Sequence, residues 1–200
     1  MENTKKKKQI KTLLIVIAVL VLAVITIIVI RRIICVKCII EPLERAAQAE
    51  EFEEIILKDP VDGEIINGEY TIYEKETKLC QINGKLRLDL PTIDHSKAIT
   101  LKFYCDAPIL YKGEKYNMDV SIGPFNRLWS NAYSVGLTSS DNEDSSVRIG
   151  FRTDIDGELE SDEYQTKSSD EINMYKDIKD EYVELLKALD SEYDRMRKKY

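Results

Sequence analysis

Three hydrophobic rhythms succeed one another along this chain: one without period, one of period two, and one of period three to four. The first runs from Leu13 to Ile30, where every residue but Thr26 is apolar. Eighteen helical residues rise roughly 27 Å, close to the hydrocarbon thickness of a bilayer. A helix inside a soluble core needs one apolar face, not all of them. The pattern therefore predicts a basic tail over 1–12, a transmembrane helix over 13–34, and lipid contact through residues 13–30. A cleaved signal peptide would leave through small residues. Here the exit is Ile28-Val29-Ile30-Arg31-Arg32, branched and then basic, which favours a retained anchor.

Residues 35–60 read as a juxtamembrane helical stalk. Glu41-Pro42 marks a break, and Pro42 suits a first helical turn. The stretch from Leu43 to Lys58 then reads as helix, ended by Asp59-Pro60. Its stripe of Leu43, Ala46 and Ala47 is thin, and Phe52, Ile55 and Ile56 form a stronger one. A polar spacer is expected.

The second rhythm fills 61–157. Residues 85–90, 99–105, 116–122 and 147–152 alternate apolar with polar. Such strands have one wet and one dry face, the mark of antiparallel sheets. Turn signals stand at Asn83-Gly84, Lys112-Gly113 and Gly123-Pro124. About eight short strands predict a mainly β body, an antiparallel β-sandwich.

A polar linker over 158–170 leads to the third rhythm, an amphipathic helix over 171–200 capped near Ser169-Asp170-Glu171. Ile172, Tyr175, Tyr182, Leu186, Leu189, Tyr193 and Met196 follow heptad steps, with Lys179 in one seat. This seam suits packing on the sheet, or self-association of two copies as a coiled coil.

Charge divides the chain. Residues 1–40 hold eight Lys/Arg and one acid, and the other 160 hold 21 Lys/Arg and 35 acids. An acidic body excludes nucleic acid, whose affinity comes largely from phosphate neutralisation. The single histidine, His95, sits in Asp94-His95-Ser96, where adjacency alone makes no catalytic triad. Asp154, Asp156 and Glu158 resemble a calcium loop, but Arg152 occupies the first ligand position and a strand precedes it. The Asp141-Asn142-Glu143-Asp144 run reads as a loop tip, and Tyr111, Trp129 and Tyr133 as strand-face packing or an aromatic patch. Cys80 and Cys105 are candidates for a disulfide, with the register of the 78–90 hairpin deciding whether they meet. Cys35 and Cys38 are candidates for acylation at a cytoplasmic membrane edge.

No catalytic constellation, cofactor motif or internal repeat stands out. Lys5, Lys6, Lys7, Lys8 and Lys11 before the span, against Arg31, Arg32, Lys37 and Arg45 after it, favour a cytoplasmic N-terminus. The expectation is a single-pass protein of the cell membrane. Its extracytoplasmic sandwich would bind or scaffold another envelope protein, with the C-terminal helix available for homo-oligomers. An anchored enzyme using carboxylates or a metal is one alternative, and a cytoplasm-facing adaptor another.

Overall fold

The computed structural model of the chain describes residues 2–57, 70–91, 99–124, 131–139 and 148–200. It begins with a long helix, α1 (Glu2–Cys35), which leads through a π-helical turn (Val36–Ile40) into α2 (Glu41–Ala49). The junction residues Cys35, Ile40 and Glu41 all keep right-handed helical angles, so the backbone never breaks. Pro42 is the reason for the π-turn. A proline inside a helix lacks a donor and crowds the preceding turn. The wider turn absorbs it, with the Glu41 N–H donating to the Val36 carbonyl, five residues back. The break expected at Glu41-Pro42 is thus a local widening.

α1 is long and apolar enough to cross a membrane, and none of that apolar span is covered by the rest of the protein. Its exposed leucines, isoleucines and valines point in every direction, so no face of this helix is polar.

The body is mainly antiparallel β, with the apolar helix at its N-terminal end and amphipathic helix at its C-terminal end, as the pattern predicts. Its strands are β1 (Glu53–Leu57), β2 (Tyr70–Leu79), β3 (Ile82–Pro91), β4 (Thr100–Cys105), β5 (Ile109–Tyr111), β6 (Glu114–Pro124), β7 (Asn131–Ser139) and β8 (Arg148–Thr153). All belong to one sheet in the order β1-β2-β3-β4-β6-β7-β8, with β5 pairing the start of β6. Where a sandwich carries a second sheet, this protein has helices. α3 (Glu163–Thr166) and α4 (Ser169–Asp177) precede α5 (Lys179–Lys199). α5 packs against β2, β4 and β6 on one side and α2 on another.

The expected C-terminal helix over 171–200 is therefore two helices. α4 starts two residues early, with a capping box between Ser168 and Glu171. The chain turns at Ile178, which is buried, while Lys179 pairs outward with Glu158. The break removes the lysine from the seam. Tyr175, Tyr182, Leu186, Leu189, Tyr193 and Met196 are all buried in the single core with Leu88, Phe103 and Val120 of the sheet, and Ile172 is packed at its margin. A seam consumed in this way has no free face for a second copy. Nor is 158–170 a loose linker: Leu159 bridges Thr153, Glu160 bonds back to Arg152, and Glu163 is buried.

The stalk needs the largest correction. Leu43, Ala46 and Ala47 are wholly buried, and Ile39 and Ile40 nearly so. Small residues let α2 approach α5 closely, so a thin stripe suffices. Phe52 caps the core, but Glu53–Leu57 is a strand rather than helix. There Ile55 and Ile56 are 37% and 55% exposed. Residues 35–57 are thus a layer of the body, not a spacer beneath it.

The packing sets an order of sensitivities. Leu43→Ala is expected to cost about 2–4 kcal/mol, and Ile56→Ala about 0.5 kcal/mol or less. Urea unfolding of the full chain in detergent micelles measures both; a spacer would give the reverse ranking.

Candidate functional site

The strand register determines which side chains share the sheet face away from the helices. One row across that face is Glu74, Arg87, Lys102, Ser121, Ser134 and Arg152; the next is Glu76, Lys85, Tyr104, Asp119, Gly136 and Gly150. Arg87 Nε donates to Asp89 Oδ1 at 2.7 Å, and Ser121 Oγ lies 2.6 Å from Ser134 Oγ. Asp119 is only 5% exposed and accepts from Arg148 Nη2 at 3.0 Å. Between these two partners lies Gly136. A Cβ there would sit 2.4 Å from Asp119 Oδ1 and 2.9 Å from Arg148 Nη2. Glycine is what lets the ion pair cross β7. Tyr104 stands beside this pair, and burial raises its phenol, partly countered by Arg87. At the β8 side Arg152 pairs with Asp162 and, at 3.0 Å, with Glu163. Paired charges and hydroxyls thus run across much of this face and make it a broad polar surface.

A second cluster ties α2, the helix that continues the long apolar one, to the body. Glu50, at the end of α2, accepts two hydrogen bonds from the Arg195 guanidinium at 2.7 and 2.6 Å. Tyr200 OH donates to it at 3.1 Å and Lys75 Nζ at 3.3 Å, with Lys199 3.6 Å away. Lys75 also stacks its ammonium 4.7 Å from the centre of the Phe52 ring. Arg195 above all, then Tyr200 and Lys75, hold the Glu50 carboxyl down at about 2, against the opposing effect of burial. Arg45 donates to the Tyr200 carbonyl, adding a second link from α2 to α5.

The residues singled out by sequence are dispersed. Asp154 Oδ1 accepts the N–H groups of Asp156 and Glu158 at 2.9 and 2.8 Å, closing a turn. Asp156 pairs with Lys187, and Glu158 with Lys179. The three acids of the calcium-like loop thus dock β8's exit onto α5. Among the described residues, no three His, Cys, Asp or Glu side chains gather to hold a metal ion.

All four cysteines are free thiols. The disulfide is excluded by register. The β2–β3 hairpin turns at Cys80-Gln81, not at Asn83-Gly84, and Cys80 has φ +54°. Its thiol donates to the Glu184 carbonyl of α5, whereas Cys105 pairs across from Gly84 and is pushed up to about 12 by burial. Cys38 is exposed and Cys35 half-buried where α1 meets the body. Tyr111 OH donates to Asp177 and Tyr133 OH to Asp190, both at 2.9 Å, so these rings tie sheet to helices. His95, Trp129 and Asp141–Asp144 lie outside the described residues.

Sequence reasoning missed Glu50, Arg195, Asp119 and Arg148. Gly136 inside an apolar strand was the available signal, since an interior glycine marks a close approach. Comparison with known proteins finds no matching family model, curated protein or solved structure.

Two outcomes follow from this geometry. Gly136→Ala is expected to destabilise by about 1–3 kcal/mol, and by less than about 1 kcal/mol when Asp119→Ala has already vacated the space; a double-mutant cycle in urea measures the difference. Glu50 is depressed from an ordinary 4.5 to about 2. Its stabilisation is therefore complete above about pH 5 and is lost as pH falls towards 2. Glu50→Gln is expected to remove roughly 2 kcal/mol at neutral pH and to flatten stability between pH 5 and 2.

Proposed function

We propose that the chain is a single-pass membrane protein whose β body stands outside the cytoplasm. There it binds or scaffolds another protein of the envelope. One observation supports this reading above the others: the apolar helix passes into α2 without interruption, and α2 is buried in the body's core. Such a chain holds its sheet at a set height and attitude above the lipid, which is what a positional scaffold requires. The polar lattice on the outer face offers a broad surface without a catalytic cluster, which suits binding better than an anchored enzyme.

A cytoplasm-facing adaptor is the second reading, favoured by one fact. Four free thiols, with none paired, suit a reducing compartment. Membrane-impermeant maleimide distinguishes the two. A chain retaining only Cys80, which is exposed, is expected to be labelled in intact cells. Labelling only after lysis would place the body inside and favour the adaptor.

A further inference from the structure

The sheet has two edges, and they are treated differently. At β8, the returning chain covers the backbone through the Thr153–Leu159 bridge, the Asp154 N–H to Glu158 carbonyl bond and the Glu160 N–H to Arg152 carbonyl bond. At β1, among the described residues, nothing pairs with the side away from β2. An open row of backbone donors and acceptors is a template for another strand, and natural edges usually guard it with lysine, proline or a bulge.

Among the described residues, the guards here are of one sign only. Glu51, Glu53 and Glu54 are exposed, and among the described residues none is in an ion pair, whereas Glu50 beside them is consumed by Arg195. Next to the carboxylates stand Ile55 and Ile56. Apart from α1, the exposed large hydrophobic residues of the described protein are these two, Leu110 and Tyr164. Two of the four are adjacent on this one edge. Neither isoleucine contributes to the core, so their exposure is not the by-product of a packing role.

We propose that β1 is a docking edge for an extended basic segment of a partner protein, added to the sheet as a ninth strand. Main-chain bonds would supply affinity, side chains over Ile55 and Ile56 would bury apolar surface, and lysine or arginine facing Glu53 and Glu54 would set polarity and register. A second copy of this chain is disfavoured, because it brings the same acidic rim and the same excess of acids over bases beyond residue 40. The inference rests on the reading of the body as a binding module and names the chemistry of its partner.

The test uses the full chain in nanodiscs of phosphatidylcholine, with backbone hydrogen exchange read at residues 53–57. The probes are a hexapeptide TVVKKT, whose paired valines and lysines match the consecutive Ile55-Ile56 and Glu53-Glu54 on both faces of an antiparallel edge, and its acidic counterpart TVVEET. The lysine probe is expected to slow exchange at 53–57 by about threefold or more. The acidic probe should not. Glu53→Lys with Glu54→Lys should abolish the effect while exchange in α5 stays unchanged, which reports an intact fold. Unchanged exchange, equal protection by both probes, or protection that grows with protein concentration alone would each overturn the proposal. Photo-crosslinkers at Ile56 and at Lys102 separate the two layers of the argument. Cross-links to an envelope protein from Lys102 alone overturn the docking edge and leave a binding body. Cross-links from neither overturn both.

Discussion

A helical backbone that runs without a break from the long apolar helix into the protein core is the constraint on which the rest of the structure depends. A helix that ended at the membrane surface would expose its last carbonyls and need caps there. This one does not end. The π-turn carries it into α2, and α2 is held by packing of Leu43, Ala46 and Ala47 and by the grip of Arg195 on Glu50. α2 packs on α5, and α5 in turn lies on the dry face of the sheet against β2, β4 and β6. Removing either half of the α2–α5 contact would leave the sheet's apolar side partly uncovered.

How far the architecture could be read in advance depended on whether a signal was local. The apolar run was legible because it is apolar on every face and long enough to span a bilayer, and the period of two was legible because each strand has one wet face. The Asn83-Gly84 pair misled for a physical reason. Gly84 lies within β3, where a Cβ would come within 2.6 Å of the Phe103 ring. The glycine serves a close approach, and the turn falls instead on Cys80-Gln81. A glycine's two uses look alike until its neighbours across the sheet are known.

The outer-face lattice and the Glu50 cluster were illegible for a related reason. Asp119 and Arg148 are 29 residues apart and Glu50 and Arg195 are 145 apart. Each charge alone is unremarkable among the 36 acids and 29 bases of the chain. Strand order makes the first pair partners, and the packing of α2 on α5 the second. The C-terminal seam shows the converse. Its spacing was correct, but spacing does not say whether an apolar stripe meets its own sheet or another molecule. The buried Ile178 and the outward Lys179 show which, because the kink between α4 and α5 fits the stripe to the sheet and spoils it for a long straight partner.

The continuous helix also makes the protein sensitive to phase. Each residue turns an α-helix by about 100°. Adding or deleting one residue between the apolar span and Leu43 would therefore swing the whole body by about that angle around the axis of α1, changing which flank of the sheet faces a given direction. The π-turn is itself an insertion of this kind, so the compass heading of the sheet is set where Pro42 forced the helix to widen.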